Sequence, residues 1–409
     1  MSITLLQICN KRSHSGAICP LFGKKHKNLF NCIGFKVKKS LKTAFLYIGT
    51  VIGAGFSSGR EIALFFGEAT PLNVALSAVF MSLLAFMFLT AGKLGLIPRG
   101  KLMRLLIAFS ASISLVAMLA GGEYVMYTMT GVPLLALVMA ILGAVVVSCG
   151  IEKIKIVNLV LVPLIAGSIA LIFFKIPHAS GTLPFSLFKP IAYSGLDILL
   201  GGVIVGEEGK EMNMKQISLT SFIVCGVLFG MLYMLQTIVL ADTNGSLMPV
   251  FAISSELRLQ AICGVLIASA IFTTLVSSLK IVSDGMLSFC DGFAKLKPLA
   301  TGDNKSIVVM FALVVFYPLS FFGFGKIVDT LYPVNSALGV LLAAVVFCKI
   351  CLHLLSKAVQ KHKTTATTAH AETATKRGTH LKKHSLRASY EAQTHKNKTP
   401  RKMRSAKSL

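Results

Sequence analysis

Long apolar stretches alternate with short polar ones through most of the chain. Ten of them approach the roughly 20 apolar residues that a helix needs to cross a bilayer. These predicted spans are residues 41–66, 73–94, 102–130, 133–150, 154–174, 191–206, 217–241, 261–289, 307–324 and 327–355. Residues 242–259 contain Pro249 and are too polar to cross, which predicts a short re-entrant or interfacial hairpin. The pattern predicts an all-α, polytopic transmembrane helical bundle.

Glycine and polar residues interrupt the first span. The run YIGTVIGAGFSSGREIALFF, residues 47–66, has glycine at positions 49, 53, 55 and 59. Glycine destabilises a helix by about 1 kcal/mol relative to alanine, so we predict a break at 53–57. Unwound backbone at membrane depth is tolerated where it is buried in protein or lines a cavity, and there it can hold a ligand. Small-xxx-small helix packing is the alternative, but Ser57, Arg60 and Glu61 favour a binding site.

A second glycine-rich run lies in the sixth span. It reads SGLDILLGGVIVGEEG and places Asp197 near its start. Ten spans suggest two halves of five, in which the sixth span is the first helix of the second half. Matching interruptions in the halves of an inverted repeat are the best sequence pointer to a transport site. We therefore expect broken first and sixth helices in a five-plus-five inverted repeat.

The charge distribution predicts the orientation of the chain. Of its 409 residues only 14% are charged and 54% are hydrophobic, yet its net charge is +25. Lys and Arg concentrate in alternate loops and in both tails, which by the positive-inside rule places both termini in the cytoplasm. We expect a basic cytoplasmic tail at 1–40, a transmembrane domain at 41–355 and a basic, disordered cytoplasmic tail at 356–409. The expected location is a bacterial inner membrane, with the lipid bilayer and no nucleic acid as partner.

Hydroxyl groups cluster in the eighth span. The sequence FTTLVSSLKIVSDG brings together Thr273, Thr274, Ser277 and Ser278. Hydroxyl oxygens beside unwound carbonyls suit Na⁺, although such side chains also bond to their own helix or to a neighbouring one. Lys280 either extends toward the cytoplasm or puts its ammonium in the cation position.

Embedded acids and one basic residue complete the candidate chemistry. Glu123 in the third span and Asp197 in the sixth are candidates to contact a cationic group of a substrate. Arg60 and Asp329 are predicted on the same side of the membrane, where they would form an extracellular gate. No P-loop or HExxH motif occurs, so we expect neither an enzyme nor an ATP-driven pump.

The string KTAFLYIGTVIGAGFSSGREIALFFG resembles the opening of the YkvI-type family of uncharacterised bacterial membrane proteins. That family is similar to distant members of the amino acid–polyamine–organocation superfamily, which has the LeuT fold. The resemblance implies that backbone groups at the break bind a substrate carboxylate, and that carbonyls of the first helix with a serine of the eighth bind Na⁺. The implied substrate residues are Val51, Gly53, Ala54 and Gly55, joined by Ser57 at the same break; the implied Na⁺ ligands are Gly49, Ile52 and Ser277 or Ser278. Phe56 stands where a second Na⁺ site has asparagine, which implies that this second site is absent.

The expected function is secondary active transport of a small organic solute, an amino acid or an amine, coupled to Na⁺ or H⁺ by alternating access. No cofactor is expected beyond Na⁺ as a coupling ion. The alternative is a non-transporting membrane sensor or partner-binding scaffold that keeps the transporter fold, a function that the long basic tail favours. The sequence does not specify an oligomeric state.

Overall fold

The chain folds almost entirely into helices in the residues that its computed structural model describes, which are 24–67, 69–98, 100–149, 152–177, 185–290 and 305–396. The described residues up to Phe347 form one compact unit and those from Cys348 a second. The α-helices are α1 Lys24–Val51, α2 Ala54–Ser58, α3 Arg60–Phe65, α4 Pro71–Lys93, α5 Lys101–Thr130, α6 Leu135–Cys149, α7 Glu152–Phe173, α8 Phe188–Leu196, α9 Val203–Gly209, α10 Met214–Ala241, α11 Pro249–Glu256, α12 Gln260–Cys290, α13 Lys305–Phe316 and α14 Phe324–Lys396. A π-helical segment, Ile198–Gly202, joins α8 to α9, and a 3-10 turn, Pro318–Phe322, follows α13.

Several of these helices can cross a membrane. Five in the described part of the chain are long and apolar enough by length and composition: Pro71–Lys93, Leu102–Thr130, Met214–Ala241, Gln260–Leu287 and Phe324–Gln360. Shorter apolar helices cover Leu135–Ser148, Val160–Phe173 and Ser306–Phe322. Together with two interrupted segments they correspond to the ten apolar stretches of the sequence. The chain is an all-helical, multi-pass membrane protein, as predicted.

The first and sixth segments are interrupted, which confirms the expectation from their glycines. The first helix stops at Val51 and resumes at Ala54. It turns again at Gly59, whose φ of 81° lies in the left-handed region that favours glycine. In the sixth segment Asp197 separates α8 from the π-helical turn. The inverted repeat between the two halves stays a prediction.

Helix α12 lies at the centre of the bundle. It packs against α5, α6, α7 and α13. Within its apolar stretch of 18 residues, 67% is buried in the protein. Other helices expose their apolar side chains: Val138, Leu142 and Val145 of α6 are all more than half exposed. Apolar residues on an outer face match contact with lipid rather than with water.

The structure differs from the sequence expectation outside the spans. Helix α1 begins at Lys24, inside the expected tail at 1–40, while residues 1–23 lie outside the described part. The segment predicted to be disordered from Ser356 is helical as far as Lys396, in keeping with the high helix propensity of its seven Ala and seven Lys residues. The expected interfacial hairpin is a short helix, α11, whose Pro249 and Phe251 are buried in the protein.

Helices α4 and α9 touch through their backbones. A Cβ added to Gly92 would overlap with the carbonyl of Gly206, and one added to Gly209 would overlap with the carbonyl of Leu89. Glycine in these positions lets the two helices approach more closely than side chains allow. This contact fixes the half of the sixth segment that follows its interruption.

We expect Gly92→Ala to destabilise the protein by about 1–3 kcal/mol, because the added methyl group meets backbone that cannot rotate away. The measurement is the thermal unfolding midpoint of the purified protein in detergent. Gly226→Ala in α10 is the matched control, since no atom lies within 4 Å of its added Cβ. Equal midpoints for the two variants would contradict the close α4–α9 contact.

Candidate functional site

The interruptions of the first and sixth segments lie side by side. A Cβ added to Gly201 in the π-helical turn would lie 2.8 Å from Oγ1 of Thr50 and 3.1 Å from Cε2 of Tyr47. Both of these side chains belong to the last turns of α1, and Tyr47 is fully buried. The two broken helices therefore meet inside the bundle, where an interrupted backbone is protected from lipid.

The backbone at the first interruption is buried and partly satisfied by side chains. The N–H of Ala54 donates to the sulfur of Met118 at 3.2 Å. The hydroxyl of Ser57 donates to the carbonyl of Gly53 at 2.7 Å. Val51 and Gly55, the other residues predicted to bind substrate here, are buried as well. The structure thus brings the five predicted residues of the break together.

Glu61 is the residue of this region whose role the sequence did not reveal. It is only 3% exposed, and its side chain folds back over Gly55, where an added Cβ would overlap with its Oε1 and Cγ and lie 2.7 Å from its Cδ. The backbone N–H of Phe56 faces this carboxylate, and the hydroxyl of Tyr193 donates to its Oε2 at 3.5 Å. The feature of the sequence that could have indicated this contact is an acidic residue within an apolar span, six residues after Gly55.

Asp197, predicted to bind substrate, lies at the junction of the sixth segment. Its Oδ2 is buried and has no hydrogen-bond partner among the described residues. Beside it, Asn335 of α14 donates from Nδ2 to the carbonyl of Leu196 at 3.0 Å. Asn335 is 4% exposed, and its Oδ1 also lacks a partner within the described part of the chain. Two unused acceptors therefore lie at one junction.

Glu61 and Asp197 lie close enough together to interact electrostatically. Asp197 acts electrostatically on Glu61 and on the hydroxyls of Tyr47, Tyr193 and Tyr332. These groups come from α1, α3, α8 and α14. Four elements thus converge on a region that combines two carboxyl groups with aromatic side chains.

Glu123 has a different role from the one that the sequence predicted. Its Oε1 accepts a hydrogen bond from the N–H of Leu134 at 2.6 Å, and its Oε2 accepts one from Ala136 at 3.2 Å. Leu134 has a φ of 62°, an uncommon conformation for a leucine. Both carboxylate oxygens thus cap the start of α6. The structure gives Glu123 this capping position and not one beside Asp197.

The candidate Na⁺ ligands are brought together, with a different register in α12. Thr274 donates from Oγ1 to the carbonyl of Ile52 at 3.0 Å. Ser278, four residues on and hence on the same helix face, is fully buried, and its hydroxyl has no partner among the described residues. Ser277 donates to the carbonyl of Thr273 in its own helix. Ser278 therefore suits the Na⁺ prediction better than Ser277, while Gly49 is buried one turn before Ile52.

Lys280 does not occupy the cation position that the sequence left open for it. Its Nζ lies 2.7 Å from Oδ2 of Asp284, one turn along the same helix. The alternative prediction, in which its ammonium replaces a bound cation, is wrong for this structure. The lysine charge is instead neutralised four residues away.

Each half of the first segment forms an ion pair with another part of the chain. Arg60 of α3 donates from Nη2 to both carboxylate oxygens of Asp329, at 2.7 and 2.6 Å. Lys39 of α1 pairs with Glu211 at 3.0 Å. The structure therefore places the two predicted gate residues, Arg60 and Asp329, in direct contact.

Comparisons with known proteins give distant similarities. No family model matches the chain. The uncharacterized protein YyaD of Bacillus subtilis (strain 168) is 26% identical over 351 residues, which are 78% of this chain and 98% of YyaD. Membership of the YkvI-type family stays a prediction.

Solved structures of a manganese transporter from Eremococcus coleocola are also similar. The complex of that protein with an aromatic bis-isothiourea substituted compound has a TM-score of 0.44 at 12% identity, covering 81% of this chain and 79% of the other. Two mutants of the same transporter have TM-scores of 0.42 and 0.41 at 13% and 14% identity, each covering 80% of this chain and 88% of theirs. Similarities this low assign no substrate to the chain.

We expect Gly55→Ala and Glu61→Ala to couple. Gly55→Ala alone should destabilise the protein by about 1–3 kcal/mol, because its methyl group takes the place of the Glu61 carboxyl. In the double variant that clash is absent, so the combined loss should be smaller than the sum of the single losses. Thermal unfolding of the four proteins measures the coupling. Gly230→Ala is the control, because its added Cβ meets no atom within 4 Å. Its effect on stability should simply add to that of Glu61→Ala. Additive effects for Gly55→Ala as well would contradict the Gly55–Glu61 contact.

Proposed function

We propose that this protein is a secondary active transporter of a small organic solute, an amino acid or an amine, coupled to Na⁺ or H⁺. The observation that carries this proposal is the meeting of two interrupted helices inside a membrane bundle. Unwound backbone and buried polar side chains at such a meeting are where secondary transporters bind solute and ion. A purely structural bundle has no need of two buried acids and two unpartnered acceptors at its centre.

The contact between α1 and α12 supports Na⁺ as a coupling ion. The carbonyl of Ile52, the hydroxyl of Thr274 and the unpartnered hydroxyl of Ser278 lie on facing surfaces of these helices. Oxygen ligands of this kind suit a hard monovalent cation. A Na⁺ ion at this position would join the first segment to the central helix and so bias the position of α1.

The two ion pairs support alternating access. Arg60–Asp329 joins α3 to α14, while Lys39–Glu211 joins α1 to the chain that follows α9. In the predicted orientation, with both termini in the cytoplasm, these contacts lie on opposite sides of the membrane. Breaking one while keeping the other would open the site to a single side.

Transport is tested in proteoliposomes with a labelled mixture of amino acids and amines. An inward Na⁺ gradient is compared with equimolar K⁺ at matched pH, and with an inward H⁺ gradient. We expect gradient-driven accumulation by the wild-type protein and none by Gly55→Leu, whose side chain fills the space of the Glu61 carboxyl. Equal flux through both folded proteins would contradict the site. If the protein is a transporter, a chain truncated after Ser356 should keep its flux. If it is a scaffold, the same truncation should abolish binding of its partner.

The Na⁺ site is tested by Ser278→Ala. We expect the Na⁺ concentration for half-maximal uptake to rise about tenfold, the effect of losing about 1.4 kcal/mol of binding. Ser269→Ala is the matched control, because Ser269 lies in the same helix, is only partly buried and already donates to the carbonyl of Val265. An identical Na⁺ response of the two variants would exclude Ser278 as a ligand. Uptake without any Na⁺ response would leave H⁺ as the coupling ion.

The gate is tested by exchanging its charges. Arg60→Asp and Asp329→Arg each place like charges in contact, so each should slow uptake severalfold by favouring separation of α3 from α14. The double exchange restores an attractive pair and should recover most of the rate. The measurement is the initial uptake rate at matched protein content. Failure of the double exchange to improve on either single variant would contradict a gating contact.

A further inference from the structure

We propose that Glu61 and Asp197 together bind the ammonium group of an organic amine, and that Glu61 takes the place of the substrate carboxylate that the first interruption was predicted to bind. This inference rests on the proposed transport function and narrows its substrate class from amino acids or amines to amines that lack an α-carboxylate. The proposed site combines the carboxyls of Glu61 and Asp197, which belong to different interrupted segments, with the amide oxygen of Asn335 in α14.

The first observation is that neither Glu61 nor Asp197 forms an ion pair with a cationic side chain among the described residues. Arg60 pairs with Asp329, and Lys189 donates to the carbonyl of Phe66 at 3.2 Å. A buried charge is strongly unfavourable unless it is paired. Two carboxyls that act on one another in such a place favour a bound cation between them.

The second observation is independent of charge. Oδ2 of Asp197 and Oδ1 of Asn335 are buried acceptors without partners in the described chain. Asn335 is more than nine-tenths buried and is held at the carbonyl of Leu196, directly before Asp197. Buried polar atoms in proteins nearly always have a partner. An ammonium group has only donors, three in a primary amine, and so complements a set of acceptors.

The surrounding rings select the kind of cation. Tyr193 makes edge contacts with Phe65 and Phe66, with ring centroids 5.5 and 5.1 Å apart, and Tyr47 and Tyr332 are buried as well. Aromatic faces bind organic ammonium groups by cation–π interaction, whereas Ca²⁺ and Mg²⁺ need six or more oxygen ligands, some of which can be water. The described residues also contain no group of three His, Cys, Asp or Glu side chains that could hold a metal.

The position of Glu61 argues against amino acids. The predicted carboxylate site is the backbone from Gly53 to Gly55, and the Glu61 side chain already lies against Gly55 with the Phe56 N–H facing it. A substrate carboxylate there would have to displace the Glu61 carboxyl from the space beside Gly55. An amine without that carboxylate meets only attraction.

The test is calorimetric binding to the full-length protein in nanodiscs. The probes are methylammonium, two matched sets and Na⁺ alone. The sets are phenethylamine, phenylalanine and 2-phenylethanol, and butylamine, norvaline and 1-butanol. We expect at least one amine to bind at least about tenfold more tightly than its amino acid and its alcohol. Glu61→Gln and Asp197→Asn, which keep side-chain shape, should each weaken amine binding about tenfold or more. Glu256→Gln, which removes an exposed carboxylate, should leave it unchanged.

The outcomes separate this inference from the transport proposal. Accumulation of amino acids in proteoliposomes, without binding of any amine, would overturn the ammonium site and leave the transporter intact. Equal binding of amines and amino acids would overturn it as well, as would a response to Na⁺ alone that depends on Glu61 and Asp197. Amine binding that both variants weaken, without gradient-driven uptake of any solute, would support the site and overturn transport.

Discussion

Backbone groups that leave a helix inside a membrane must find partners within the protein, and this constraint organises the centre of the molecule. The first segment leaves the helical path between Val51 and Ala54. There the carbonyl of Ile52 is satisfied by Thr274 of α12, and the N–H of Ala54 by Met118 of α5. Because α5 and α12 also pack against each other, the interruption is held by the core of the bundle. Its shape is therefore fixed by protein contacts and not by lipid.

Both interpretations of the glycines apply, but to different glycines. Backbone packing explains Gly92 and Gly206, which bring α4 and α9 into contact. In the first segment Gly59 supplies the left-handed turn and Gly55 leaves room for the carboxyl of Glu61. The turn and the space are linked, since Gly59 joins α2 to α3 and Glu61 of α3 contacts Gly55 of α2 across that turn. The same residue type thus serves helix approach in one place and site construction in another.

The sequence predicted the helices well because bilayer thickness imposes a length and a composition that can be read directly. It also predicted the two interruptions, and it placed Arg60 and Asp329 on the same side of the membrane. It could not predict side-chain direction, because one residue along a helix is a rotation of about 100°. The sequence therefore left Ser277 and Ser278 as alternatives, and the structure favours Ser278, which shares a helix face with Thr274. The capping position of Glu123 likewise depends on a loop whose backbone conformation no periodicity reveals.

Arg60 and Glu61 are neighbours in sequence with opposite surroundings, and this explains how a ligand would act on the proposed gate. Arg60 pairs with the half-exposed Asp329, so its charge is not available to the buried Glu61. Both residues lie on α3, which is joined to α2 by the single turn at Gly59, so a movement of α3 shifts Glu61 relative to Asp197. A ligand that bridges Glu61 and Asp197 binds only while the two broken helices are close. By mass action it favours that arrangement over any in which they separate, and the Arg60–Asp329 contact is favoured with it.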